Sequence, residues 1–184
     1  MTGNAEKYFS EISGTQIISE TEGLGVGFVS EIIIDPLNGA IAGISLDRKF
    51  SQVIPAIDIR ILGNPTIIST VDAVSEPEDI IKIRQILESN AKLLNNKVFT
   101  KSGLYLGKVY DFAVDVNVMA LTKIAVSKNI LGLIRFNEIL LPHTEIVEIT
   151  PEKIIIHGNA AVKSVVASER TGVRRKAKAC AECD

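Results

Sequence analysis

Apolar and polar residues alternate along several short stretches of the chain, and a two-residue period of this kind is typical of β-strands with one buried face. In one stretch Phe112 and Val114 alternate with Asp111 and Asp115. The pattern predicts a strand that buries the two apolar side chains and turns both carboxylates to water. Carboxylates in water have little reason to shift their pKa values, so these acids are expected to be solvated strand residues and not acid–base catalysts.

The same alternation occurs earlier in the chain, where Ile32 and Ile34 lie between Glu31 and Asp35. The turn sequence of residues 36–39 follows, and a second apolar run comes after it, so we predict a β-hairpin with both acids facing water. The residues predicted to fill the two cores are Ile32, Ile34, Ile44, Leu46, Phe112, Val114, Ile124 and Val126.

Both stretches belong to one internal repeat whose copies are offset by eighty residues. The register needs no gap, and it keeps glycines and acids as well as aliphatic residues. The matched pairs include Gly23 with Gly103, Gly27 with Gly107, Glu31 with Asp111, Asp35 with Asp115, Ile44 with Ile124, Asp58 with Glu138 and Ile59 with Ile139. Each copy has the pattern of about five short strands, which suits a small closed β-barrel.

Between the two copies the period changes to that of a helix. Ser75 and Glu78 have the spacing of a capping box, and Pro77 suits a first helical turn. The apolar residues that follow share one helical face, and they are Ile80, Ile83 and Leu87. We predict one helix over residues 77–94 that packs against one copy or both.

Two segments of the repeat, residues 23–31 and 103–111, resemble the opening hairpin of the PRC-barrel family. Modules of that family read Gly, Gly-Lys-Val, one residue and Asp, and then a turn, a strand and an aliphatic segment before Asp-Ile. Residues 53–59 are similar to this later segment, and residues 135–139 are a looser match. The first copy departs from the family at Phe28 and at Ser30-Glu31, where the family usually has Lys and Asp.

The resemblance implies a mainly β chain with two small PRC-type β-barrels in tandem, joined by one α-helix. Relatives in this family share the theme of binding another macromolecule, so a non-enzymatic binding or scaffold protein is expected, with a protein as its partner. With the helical period and the charge pattern, we expect a first barrel over 10–72, a linker helix over 73–94, a second barrel over 95–159 and a basic, flexible tail over 160–184.

Composition agrees with strands packed on aliphatic cores, because 46% of the residues are hydrophobic while only 5% are aromatic and Trp is absent. No apolar run approaches the roughly 20 residues of a membrane-spanning helix. The first ten residues lack the basic-then-apolar pattern of a secretory signal. We therefore expect no membrane span and a cytoplasmic location.

Charge divides the chain into an acidic body and a basic tail. Residues 1–159 carry 14 basic and 19 acidic side chains, whereas residues 160–184 carry 6 and 3. The candidate partner-binding residues of the tail are Arg170, Arg174, Arg175, Lys176 and Lys178. Such a cluster attracts phosphate or an acidic protein surface. An RNA- or ribosome-associated assembly factor is therefore the alternative function, and a solvated tail without a partner is the other interpretation.

Residues that suggest catalysis or metal binding do not form a recognisable set. His143 and His157 are the only histidines, and neither has the spacing of a triad or a metal site. Cys180 and Cys183 supply two zinc-ligand positions, so a complete site needs another chain; the alternatives are a redox contact and a mobile terminus. The glycines of residues 23–27 precede a strand, which argues against a phosphate loop. No catalytic residue and no cofactor are predicted.

Overall fold

The computed structural model describes residues 5–130 and 134–158, over which the chain is mainly β. The leading segment, residues 6–12, forms strand β1 (Glu6–Tyr8) and the short helix α1 (Phe9–Ile12). The strands of the N-terminal half are, in chain order, β2 (Gln16–Ser19), β3 (Gly25–Phe28), β4 (Glu31–Ile34), β5 (Ile41–Ser45), β6 (Val53–Pro55), β7 (Ile59–Ile61) and β8 (Thr66–Ile68).

A connector with a 3-10 turn at Pro77–Asp79 and the helix α2 (Ile81–Glu88) leads to the C-terminal half. The strands of this half are β9 (Lys97–Thr100), β10 (Tyr105–Asp115), β11 (Ala120–Ile130), β12 (Ile134–Pro142), β13 (Ile146–Ile149) and β14 (Lys153–Ile156). Neither helix in the described residues is long and apolar enough to cross a membrane.

Strand order is the same in the two halves. In the N-terminal half β2 pairs antiparallel with β3 and parallel with β8, and β4, β5 and β6 form a separate antiparallel sheet. In the C-terminal half β9 pairs in the same way with β10 and β14, and the long β10 takes the places of both β3 and β4. Among the described residues, the strand pairings do not form a closed barrel.

The register of the central hairpin follows the eighty-residue offset. Ile44 pairs with Ile32, and Ile124 pairs with Phe112 at the corresponding place. Seven of the eight predicted core residues are buried, and Leu46 is partly buried against the same cluster. These residues belong to one apolar core that contains side chains from both halves, whereas the sequence predicted two separate cores.

The offset changes after β11, which corrects one part of the predicted repeat. Ile54 pairs with Ile44, ten positions earlier, whereas Leu141 pairs with Ile124, seventeen positions earlier. The β11–β12 hairpin is therefore longer than the β5–β6 hairpin. As a result Ile139 lies in β12, and the position that corresponds to Ile59 at the start of β7 is Ile146 at the start of β13.

The helix is shorter than the predicted 77–94. Ser75 pairs with Val53 through two backbone hydrogen bonds of 2.9 Å, so it extends a sheet edge instead of capping a helix. Ile80 has extended backbone angles that separate the 3-10 turn from α2. The helix ends at Glu88, and Asn90 has a φ of 52°, which a continuing helix does not allow.

The acids of the first copy do not face water as predicted. Helix α2 covers β4, because Ile83 packs with Ile33, so both faces of this strand are buried. The Asp35 side chain is only 3% exposed, and Lys82 Nζ lies 2.6 Å from its Oδ2. Burial disfavours the charged carboxylate, but the bonds from Lys82 and the Leu37 N–H outweigh it and hold the pKa of Asp35 below its usual value.

The two halves meet around a local two-fold axis. The Ile41 N–H donates to the Met119 carbonyl, and the Leu121 N–H donates to the Gly39 carbonyl, both at 2.8 Å. Each donor and each acceptor lies eighty positions from its counterpart, so the contact is reciprocal. The leading segment crosses to the other half, because β1 pairs with β10 of the C-terminal half. The connecting helix α2 packs on the N-terminal half.

Candidate binding cleft

A cleft of 960 Å³ lies where the two halves meet. Its lining comes from β4, from the β5–β6 loop (residues 46–52) and from the chain that leaves α2. Phe9 of α1 and Phe112 of β10 also line it, so the leading segment and the C-terminal half contribute to the same concave surface. A concave site with apolar walls and a few polar groups is the usual form of a binding site.

The β5–β6 loop is held in one conformation by the Asp47 carboxylate. This carboxylate accepts hydrogen bonds from the Lys49 N–H at 2.6 Å and from the Ser51 N–H and hydroxyl at 3.1 and 2.7 Å. The Ser51 hydroxyl bond is the main reason that the pKa of Asp47 is lowered. Within the loop Phe50 has a φ of 58° and packs beside α2, which leaves Arg48 and Lys49 exposed at the cleft.

Glu31 is the half-buried acid of the cleft. It begins β4, and no hydrogen bond or ion pair reaches its carboxylate from the part of the chain that the structure describes. Burial raises the pKa of Glu31, and the positive charges of Arg48 and Lys92 oppose this rise only in part. A carboxylate in this setting favours a ligand that donates hydrogen bonds.

Asp111 occupies the place of Glu31 in the other half, and there the carboxylate has partners. The Ser10 hydroxyl donates to Asp111 Oδ2 at 2.6 Å, and the Ser10 N–H donates to Oδ1 at 3.3 Å. The Phe9 ring stacks on Phe112, with ring centroids 5.0 Å apart and planes inclined by 17°. The chain's own leading segment therefore fills this position in the C-terminal half.

The two histidines singled out in the sequence are not among the residues that line the cleft. His143 packs its ring against the turn at Gly39, where an added Cβ would lie within 2.4 Å of Nε2. His157 is exposed, and its main-chain N–H donates to the Glu145 carbonyl at 2.9 Å. Among the described residues no group of three or more His, Cys, Asp or Glu is arranged to hold a metal ion.

The candidate tail residues and both cysteines lie outside the described residues. These are Arg170, Arg174, Arg175, Lys176, Lys178, Cys180 and Cys183. Sequence reasoning therefore missed the cleft, although the repeat did match Glu31 with Asp111. The cleft could not be predicted because it depends on the contact of residues 6–12 with β10. No local sequence pattern indicates a contact over more than a hundred positions.

No protein-family model matches the chain, and a search of curated proteins finds no match to it. The resemblance to the PRC-barrel family stays a prediction made from the residues of the two hairpins.

Proposed function

We propose that this protein is a non-enzymatic binding protein, a scaffold that holds a polypeptide segment of a partner protein in the cleft beside Glu31. The observation that supports this is the difference between two corresponding positions. Asp111 binds a segment of the chain itself, whereas Glu31 faces an open cleft without a bonded group from the described residues. A site that accepts polypeptide in one copy of a repeat has the backbone geometry to accept it in the other.

Capture experiments with paired variants test this function. Glu31→Arg places a long cation in the cleft, and Glu148→Arg places the same side chain at an exposed position on β13. Both proteins would be fixed to a support and exposed to lysate from the native source. We expect the Glu31 variant to lose a protein that the wild type and the Glu148 variant both retain. Equal capture by all three proteins would contradict a partner site in the cleft.

The finer architecture is part of the proposal: two PRC-type barrels in tandem, over residues 10–72 and 95–159. The matching strand order and the matching hairpin register of the two halves support it. Hydrogen-bond couplings measured by NMR between the edge strands of each half test barrel closure. Edge strands with rapidly exchanging, unpaired amides would leave two open sheets instead.

An RNA- or ribosome-associated assembly factor is the second candidate. It is supported by the excess of basic over acidic residues in the tail, 6 against 3 over residues 160–184. Phosphate contacts made by such a tail weaken steeply with salt. RNA affinity that is unchanged when residues 170–178 are deleted would remove this candidate. Both candidates place the protein in the cytoplasm, which cell fractionation tests.

A further inference from the structure

The chemistry around Glu31 defines what kind of segment the cleft accepts, on the premise that the cleft is a partner site. Its carboxylate is half-buried and accepts no hydrogen bond from the described residues. A buried acceptor that is left without a donor is unfavourable, and hydrogen bonds to a charged group are among the stronger ones. The occupant is therefore expected to bring hydrogen-bond donors to this carboxylate.

Positive charge near Glu31 distinguishes between two kinds of donor. The positive charges of Arg48 and Lys92 act on the Glu31 carboxylate, because they partly oppose the rise in its pKa that burial causes. A lysine or arginine of a ligand would be repelled by these two cations. A neutral donor, such as a hydroxyl or a main-chain N–H, is not subject to this repulsion.

The other half supplies a template for a neutral donor. Ser10 gives Asp111 both its hydroxyl hydrogen and its main-chain N–H. The residue before it, Phe9, lies flat on Phe112. At the place of Phe112 the N-terminal half has the smaller Ile32, which lines the cleft. This replacement leaves more room for a large apolar side chain of the ligand.

We propose that the cleft binds a partner segment in which an aromatic residue precedes a serine or threonine, and that this residue donates its hydroxyl and its N–H to the Glu31 carboxylate. The aromatic ring enters the apolar part of the cleft, which Ile32 and Leu87 line. The protein would thus recognise in its partner the same two-residue pattern that it uses at residues 9 and 10 to hold its own halves together.

An NMR titration tests this proposal with a defined probe. The probe is a capped peptide with the sequence of residues 5–13, and its control carries the Ser10→Ala change. Full-length isotope-labelled protein keeps its own leading segment on Asp111, so the free peptide has the cleft available. We expect shifts in the amides of residues 30–34, and affinity about tenfold or more weaker for the control peptide.

Two protein variants complete the test. Glu31→Gln keeps the shape but removes the charge that strengthens the bonds, so affinity should fall about tenfold, whereas Glu148→Gln should bind as the wild type does. Equal binding of both peptides, no binding at millimolar peptide, or shifts confined to residues 111–115 would each overturn the proposal. If cleft-dependent capture of a partner persists in any of these cases, the proposed function stands and only the recognition pattern is wrong.

Discussion

Asp35 is a buried carboxylate whose counter-ion comes from another element, Lys82 of α2. We expect Lys82→Met to lower the free energy of unfolding by about 1 to 3 kcal/mol, because a buried acceptor loses its charged partner. Arg84→Met on the same helix is the control, since its contact with Glu88 is exposed and 4.0 Å long. The control should change stability by less than about 0.5 kcal/mol in urea denaturation. Equal losses of stability in the two variants would mean that the Asp35 ion pair contributes no more than an exposed one.

The pKa of Asp35 also predicts a loss of stability in acid. A carboxylate with a lowered folded-state pKa contributes stability above its ordinary value of about 3.9 and loses it as pH falls through the folded value. Glu31 has the opposite sign, because burial raises its pKa and its charged form is disfavoured in the folded protein at neutral pH. The two acids of the first copy therefore have opposite effects on stability. Their positions in the repeat do not predict this difference.

We predict that Glu31→Gln is more stable than the wild type at pH 7 and loses this advantage in acid. Above the folded pKa, the charged Glu31 carboxylate is disfavoured in the folded state, while below both pKa values it is neutral and resembles Gln. Thermal denaturation at several pH values measures the difference, with Glu148→Gln as the control. A neutral-pH gain would mark Glu31 as a residue kept at a cost in stability.

At the scale of elements, β1 is a three-residue strand that holds the leading segment to β10. Glu6 adds a contact of 2.6 Å with Lys123, and the Val116 N–H donates to the Ala5 carbonyl at 2.8 Å. The Glu6 and Lys123 side chains are only partly buried. The position of β1 therefore depends on this ion pair, the Val116–Ala5 hydrogen bond and the strand pairing together. Its removal is expected to free one side of β10.

We predict that deletion of residues 1–8 lowers the free energy of unfolding by about 2 to 4 kcal/mol, from the loss of several hydrogen bonds of about 1 kcal/mol each. Amide hydrogen exchange should become faster at residues 114 and 116, which face β1. Deletion of residues 1–4, which keeps the whole of β1, is the matched control. Unchanged protection in the longer deletion would show that β1 is not a stable part of the sheet.

The elements that the sequence predicted are those with a local signal. Alternation and turn chemistry were enough to predict the hairpin of β4 and β5 and the burial of Ile44 and Ile124. The length of α2 was overestimated, because Ile80 fits a helical stripe but takes an extended backbone beside the sheet edge at Ser75. The burial of Asp35 depends on α2 lying over β4, a contact that no local pattern encodes.

At the scale of the whole molecule, the turn at Gly39 brings the two halves together. Gly39 has a φ of 73°, and its carbonyl accepts the Leu121 N–H on the local two-fold axis. The ring of His143 fills the space where a Cβ would lie. Two separate constraints, the backbone angle and the neighbouring ring, therefore require glycine at this position.

We predict that Gly39→Ala destabilises the protein by more than the roughly 1 to 2 kcal/mol of a left-handed backbone alone. Removing the ring with His143→Ala should reduce the cost of the Gly39 substitution to that value. A double-mutant cycle in urea measures the coupling, which should exceed about 0.5 kcal/mol. Additive effects would mean that the ring moves aside freely and that the turn does not depend on it.

The pairing of β1 with β10 has a consequence for synthesis on the ribosome. Glu6 is made 117 positions before Lys123, its ion-pair partner. At about 5 to 20 residues per second, the interval between them is roughly 6 to 23 s. For most of this time Phe9 lacks the Phe112 ring on which it stacks in the folded protein. Nascent-chain chaperones that bind exposed apolar segments therefore have residues 6–12 within reach until the far end of β10 has left the exit tunnel.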